Sequence, residues 1–155
     1  AFVASRDWVR YALSRPMVDV PGGRMIYSTG STHILGTALV RAARRPLRDL
    51  MQDWLIGPLG FAVPEWQRDP QGVHFGGNEM ALSPRALLAF GECCRNGGVH
   101  RGRQVIPAEF LRRAWVPGGR SAFSGQPYGL GWWVGEARGQ KVVYAWGYGG
   151  QMVYV

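Results

Sequence analysis

The chain has 155 residues, enough for one domain with its own core. A hydrophobic content of 46% with only 18% charged residues excludes a disordered segment, and no apolar run is long enough to predict a membrane-spanning helix. The net charge is +8, and 17 of the 18 basic residues are arginine. Arg41, Arg44, Arg45 and Arg48 fall at helical spacing and would form one stripe of a helix. Such a stripe suits an anionic surface, but no recognised nucleic-acid-binding motif accompanies it, so nucleic acid is not expected as a partner. The first residues, Ala1 to Asp7, lack the basic-then-apolar layout of a signal peptide.

In chain order, residues 6–13 read as a short helix ended by Pro16. Pro21-Gly22-Gly23 makes a turn, and Arg24 to Tyr27 is a brief extended approach to the next element. Ser31 or Thr32 is expected to cap a helix with Ile34, Leu35, Ala38, Leu39 and Ala42 on its apolar face. Gly36 within that helix suggests close packing. A helix beginning at Pro46 carries Leu47, Leu50, Met51, Trp54 and Leu55 at the 3.6 period, and Gly57-Pro58 stops it. Residues 62–80 read as a long irregular loop, functional or mobile. Ser83-Pro84 opens the next helix, which runs to about Arg95 before Asn96-Gly97-Gly98. The adjacent Cys93 and Cys94 read as small apolar residues of that helix, since adjacent cysteines rarely bridge and no other ligand lies beside them. Pro107 begins a further helix, Ala108 to Trp115. Tyr128 to Val134 and Lys141 to Trp146 then read as strands of a hairpin turning over Gly135 to Gln140, and Met152 to Val155 starts another strand. Helices first and strands last predict an α+β fold. Residues 1–155 are taken as a single partial domain, with 1–127 mainly helical and 128–155 the first strands of an antiparallel sheet.

Several segments stand in a telling order. A Pro-Gly turn precedes Tyr27-Ser28-Thr29, and Ile34-Leu35-Gly36 and Pro58-Leu59-Gly60-Phe61 follow. Met80-Ala81-Leu82-Ser83, Asn96-Gly97-Gly98, Tyr128-Gly129-Leu130-Gly131-Trp132 and Gly147-Tyr148-Gly149-Gly150 complete the set. Together they resemble the serine β-lactamase and penicillin-binding-protein superfamily, in particular its class C β-lactamase and esterase branch. The resemblance implies a partial β-lactamase/transpeptidase-like fold and a hydrolase that works through an acyl-serine, its nucleophile drawn from a Ser-x-x-Lys motif. That motif is absent: the single lysine is Lys141, and Arg138 stands three residues before it. The expectation is therefore a fragment whose nucleophile lies upstream and which is inactive alone, or else a binding module of the same fold without chemistry.

The resemblance places Tyr27 in the catalytic tyrosine role, although a phenol titrating near pH 10 serves as a base near neutrality only beside cations. Thr29 stands where the family usually has asparagine, and it offers one hydroxyl to a substrate carbonyl or the catalytic lysine. Tyr148-Gly149-Gly150 stands where Lys-Thr-Gly or His-Thr-Gly is usual, and the Gln151 N–H is implied to be one oxyanion donor. A neutral phenol at Tyr148 favours an ester or amide over a β-lactam or a peptide carboxylate. The plainer readings are a half-buried aromatic at Tyr27 and a glycine-rich turn at Tyr148 to Gln151. Ser28 is a fallback nucleophile with no base near it in sequence. His33, His74 and His100 are too scattered for a triad or a metal site, and Asp69 and Glu79 have no evident partner. No cofactor or metal is implied. The expected partners are a small ester, amide or lactam substrate, and the remainder of the polypeptide or another copy of the chain. By family resemblance alone, a periplasmic or secreted setting is expected.

Overall fold

The computed structural model describes residues 1–155. Its contacts group into two units, one formed by Ala1–Val18 with Ser28–Leu82 and the other by Asp19–Tyr27 with Ser83–Val155. Helices and antiparallel strands together give the expected α+β class.

The first unit is helical. Helix α1, Trp8–Leu13, is capped by Asp7, whose carboxylate accepts the Arg10 N–H at 2.8 Å. Helix α2, Thr29–Ala43, starts earlier than the sequence suggests. Its cap is Ser28, whose hydroxyl accepts the Ser31 N–H at 3.2 Å, and not Ser31 or Thr32. Its inward face also differs from the expected one. His33, Gly36 and Thr37 are buried, whereas Leu35 is 61% and Leu39 41% exposed. Small size and polar matching select this face. A methyl added at Gly36 would lie 3.2 Å from Leu47 Cδ2 and 3.3 Å from Gly76 Cα, tight enough to push those groups back, so glycine lets them approach closest.

Arg44 ends α2 in the left-handed region, with φ 52°. This break removes the expected arginine stripe. Arg41 lies in α2, Arg44 caps it, Arg45 sits in the connection and Arg48 belongs to helix α3, Leu47–Met51. Arg45 pairs with Asp53, and the Arg48 guanidinium donates to the Val63 carbonyl at 3.0 Å. Helix α3 runs on into a π-turn, Gln52–Ile56. The wider turn shifts the helical register, so Ile56 is buried while Trp54, expected on the apolar face, is exposed. The Gln52 amide holds the chain beyond it, accepting the Val63 N–H at 2.8 Å and donating to the Phe61 carbonyl at 3.2 Å. Residues 62–80 have no helix, but they are packed, with Val63, Asp69, His74 and Phe75 buried and bridges at Trp66–Met80 and Arg68–His74.

In the second unit, helix α4, Pro84–Arg95, has the expected Ser83 cap and first-turn proline. Cys93 and Cys94 are fully buried free thiols, and burial, reinforced by Cys93, pushes the Cys94 thiol up to about 12. A short hairpin follows, β1 (Val99–His100) with β2 (Arg103–Gln104), which the sequence reading does not include. After helix α5, Ala108–Ala114, come β3 (Gly119–Arg120), β4 (Pro127–Tyr128), β5 (Trp133–Ala137), β6 (Gln140–Trp146) and β7 (Met152–Tyr154). These last strands form one antiparallel sheet in chain order.

The run Tyr128 to Val134 is thus not one strand. Gly131 takes φ 86°, the Gly129 N–H donates to the Trp132 carbonyl, and the chain reverses so that Tyr128 pairs with Trp133. The next turn is also tighter than expected: only Arg138 and Gly139, both with positive φ, join β5 to β6.

Strand alternation divides the side chains of this sheet between two faces. Val134, Val143 and Trp132 pack with Cys94, Leu111 and Ala114 in the core under α4 and α5. Trp133, Tyr144 and Trp146 alternate with these and point the other way. Helix α4 approaches β7 at Gly91, where an added methyl would lie 2.9 Å from Val153 Cγ1. Gly91→Val should overpack this contact and cost about 1–3 kcal/mol, read as a lowered denaturation midpoint. An unchanged midpoint would show that the helix and strand have room to part.

Candidate active site

Tyr27 and the Tyr148–Gln151 turn belong to the same unit: Tyr27 lies outside any strand, and the turn joins two strands of the sheet. The Tyr27 ring stacks on Trp133 at 5.8 Å between centroids and 12° between planes. It meets Tyr128 edge-on at 5.7 Å. Tyr27 therefore lies on the sheet face opposite α4 and α5, held by stacking, with 59% of its surface exposed. Burial, with Tyr27 as a lesser contributor, pushes the Tyr128 phenol up to about 12, so Tyr128 remains a neutral neighbour at physiological pH. Tyr144 stacks on Tyr154 at 5.2 Å and extends the aromatic surface across β6 and β7.

The turn joins β6 to β7. Gly147 donates its N–H to the Gln151 carbonyl at 2.8 Å, while the Gly147 carbonyl accepts from Gly150 at 3.2 Å instead of from Gln151. The Gln151 N–H is left without a backbone acceptor. Gly149 and Gly150 take φ 84° and 89°, which a side chain would strain, and Tyr148 is fully exposed. The backbone here is open to an incoming group on a loop that is itself sterically defined.

Thr29 and Ser28 belong to the other unit. Thr29 is the first residue of α2, and its methyl faces Gly77: an added Cβ there would lie 2.6 Å from Thr29 Cγ2. The Ser28 hydroxyl is taken up in capping α2, an arrangement that includes no base.

The only lysine is directed elsewhere. Lys141 shares its strand face with Val143 and donates to the Trp115 carbonyl at 3.3 Å, on the helix side of the sheet and away from Tyr27.

Sequence spacing hides one pair of polar residues. His33 and Asp69, both fully buried side chains, meet at 3.0 Å between Nε2 and Oδ2. The Gly76 N–H donates to His33 Nδ1 at 3.3 Å, so Nδ1 is the accepting nitrogen and Nε2 the one that donates to Asp69. The other Asp69 oxygen accepts the Gln71 and Val73 N–H groups at 2.9 and 2.8 Å. The one available signal was Asp69-Pro70-Gln71-Gly72, a turn in which an aspartate can accept nearby N–H groups. His74 is also in this segment, but it accepts from Arg68 Nε at 3.2 Å and contacts Trp66. His100 lies in β1 of the other unit, and the three histidines do not assemble.

A family model described as Beta-lactamase matches residues 1–155. No curated protein matches the chain. Among solved structures, the chain is similar to a "Putative 6-aminohexanoate-dimer hydrolase from Bacillus anthracis", with TM-score 0.74 and 19% identity over 93% of this chain and 38% of that one. It is similar to a "putative beta-lactamase from Bacteroides dorei DSM 17855", with TM-score 0.74 and 21% identity over 95% of this chain and 52% of that one. A third is the octameric penicillin-binding protein homologue from Pyrococcus abyssi, with TM-score 0.61 and 17% identity over 82% of this chain and 34% of that one. The chain thus spans between about a third and a half of the length of each.

Burial, followed by the nearby Arg68 and Arg48 guanidinium groups, holds the His74 imidazole below its ordinary value. The unfolded chain then takes up the proton first as pH falls. The resulting stability loss begins below the unfolded value of about 6.5 and grows toward the folded one. Denaturation midpoints should fall between pH 7.5 and pH 5.5, and the fall should be smaller in His74→Gln. An equal fall in both proteins would contradict this.

Proposed function

The chain belongs to the Beta-lactamase family across residues 1–155, and from that premise we propose that it is part of a serine hydrolase cleaving an ester or amide through an acyl-serine. The observation that carries this reading is an exposed phenol, Tyr27, stacked on the sheet whose β6–β7 turn leaves the Gln151 N–H unengaged. In this reading the nucleophilic serine and its lysine come from a part of the polypeptide outside these residues, because Lys141 faces the helix side of the sheet.

The proposed reaction runs as follows. The serine hydroxyl adds to the substrate carbonyl, and its proton passes to the lysine–Tyr27 pair. The tetrahedral oxyanion is held by the Gln151 N–H and the N–H of the nucleophile. Collapse breaks the bond to the alcohol or amine, which leaves with a proton from Tyr27. Water then attacks the acyl-serine carbonyl and gives its proton to Tyr27; the acyl–Oγ bond breaks, the serine oxygen takes that proton, and the free acid departs. Thr29 is assigned to the substrate carbonyl or to the lysine through its one hydroxyl.

Tyr148 supports an ester or amide over a β-lactam, because it puts a neutral, fully exposed phenol where the resemblance implies a cation for a substrate carboxylate. A β-lactam stays within the same chemistry as a poorer substrate.

Tyr27→Phe in the full-length polypeptide should lower kcat on p-nitrophenyl esters about 10²- to 10⁴-fold, with KM little changed. Steady-state kinetics reads this directly, and a variant retaining wild-type kcat would remove Tyr27 from the mechanism.

A further inference from the structure

The reading of Tyr27 and the turn makes no use of the most buried polar contact in the helical unit. We infer that His33 and Asp69 are a positioning pair, holding Gly76 and Gly77 against the first turn of α2 and so fixing the rotamer of Thr29. This inference rests on the proposed hydrolase function.

Gly76 donates to His33 Nδ1, His33 Nε2 donates to Asp69 Oδ2, and Asp69 Oδ1 accepts from Gln71 and Val73. Donors and acceptors alternate without a spare site, so the ring has one usable tautomer. The ring is enclosed by Phe2, Trp8 and Phe75, at 6.0, 5.4 and 5.6 Å between centroids. Water has little access to replace a lost bond, since both side chains are fully buried.

The chain held by these bonds reaches Thr29. A methyl added at Gly76 would lie 2.6 Å from the Thr32 carbonyl oxygen. One at Gly77 would lie 2.6 Å from Thr29 Cγ2 and 2.8 Å from Thr32 Oγ1. The glycine backbone therefore runs close beside the Thr29 methyl, with no room for a side chain between them. A threonine has few χ1 positions, so a wall against its methyl decides where its hydroxyl points. His33 and Asp69 touch no reacting atom and act only through this wall.

Asp69→Asn tests the pair with nearly no change in shape. If the amide oxygen keeps the Gln71 and Val73 bonds, its NH₂ faces the His33 Nε2–H. Shifting the ring proton to Nδ1 then opposes the Gly76 N–H. One bond must fail in either tautomer. His33→Phe removes both ring bonds, whereas His33→Gln can supply one donor and one acceptor.

The experiment uses the full-length polypeptide, p-nitrophenyl acetate, and amide hydrogen exchange at Gly76. Asp69→Asn and His33→Phe are expected to lower kcat at least tenfold with KM changed less than threefold, and to speed exchange at Gly76, while His33→Gln recovers part of both. Faster exchange with kcat unchanged would overturn the inference, leaving the pair a stabilising contact only. A fall in KM-dependent binding alone, or unchanged exchange, would also overturn it. If the unmodified polypeptide hydrolyses no ester or amide, the proposed function itself fails, a result distinct from any produced by the variants.

Discussion

The hydrogen bond between His33 and Asp69 joins residues 36 apart in a unit that has no sheet to hold it. Residues 62–80 lack a helix, and a backbone in that state must find other partners for its N–H and C=O groups. Asp69 takes two of those N–H groups and His33 a third, through side chains that are themselves fully buried. Losing a partner there costs about 1–3 kcal/mol for each group left unpaired. Gly36 and Gly76 make the arrangement possible by letting the backbones approach, and Leu47 fills the remaining space beside Gly36.

In the other unit the governing constraint is the two-sidedness of a strand. Alternation sends Val134, Val143 and Lys141 toward α4 and α5, and sends Trp133 and Tyr144 to the face that carries Tyr27. This single fact sets what chemistry the unit can support by itself. It presents a stacked phenol and an open turn but places its lysine behind the sheet. A phenol without a cation beside it is a poor base near neutrality. In the proposed function the serine and its cation therefore come from another part of the polypeptide, and Tyr27 and Gln151 serve as proton carrier and oxyanion donor.

Elements whose signals are local were legible in the sequence. Ser83-Pro84 before α4, the glycines after it, Pro107 before α5 and the strand β6 all stand where capping, turn chemistry and β-branched content put them. The family was legible too, from short motifs in a particular order, and a family model matches residues 1–155. Features decided by tertiary contact were not. The inward face of α2 follows a glycine approach and a histidine with a distant partner, so apolar periodicity chose Leu35 and Leu39 wrongly. A π-turn altered the register after α3, and one left-handed arginine separated the residues of the supposed basic stripe. Tyr27 and the turn are proposed from motifs, whereas the contact of His33 with Asp69 has no such signal, since no rule of spacing links residues across an irregular loop.

The central claim is that this chain works in an acyl-serine hydrolase whose nucleophile lies outside it. Intact-mass and peptide analysis of the full-length polypeptide after treatment with a fluorophosphonate tests that claim most directly. The account predicts one adduct, on a serine outside residues 1–155. An adduct on a serine within these residues, Ser28 above all, or no adduct at all, would contradict it.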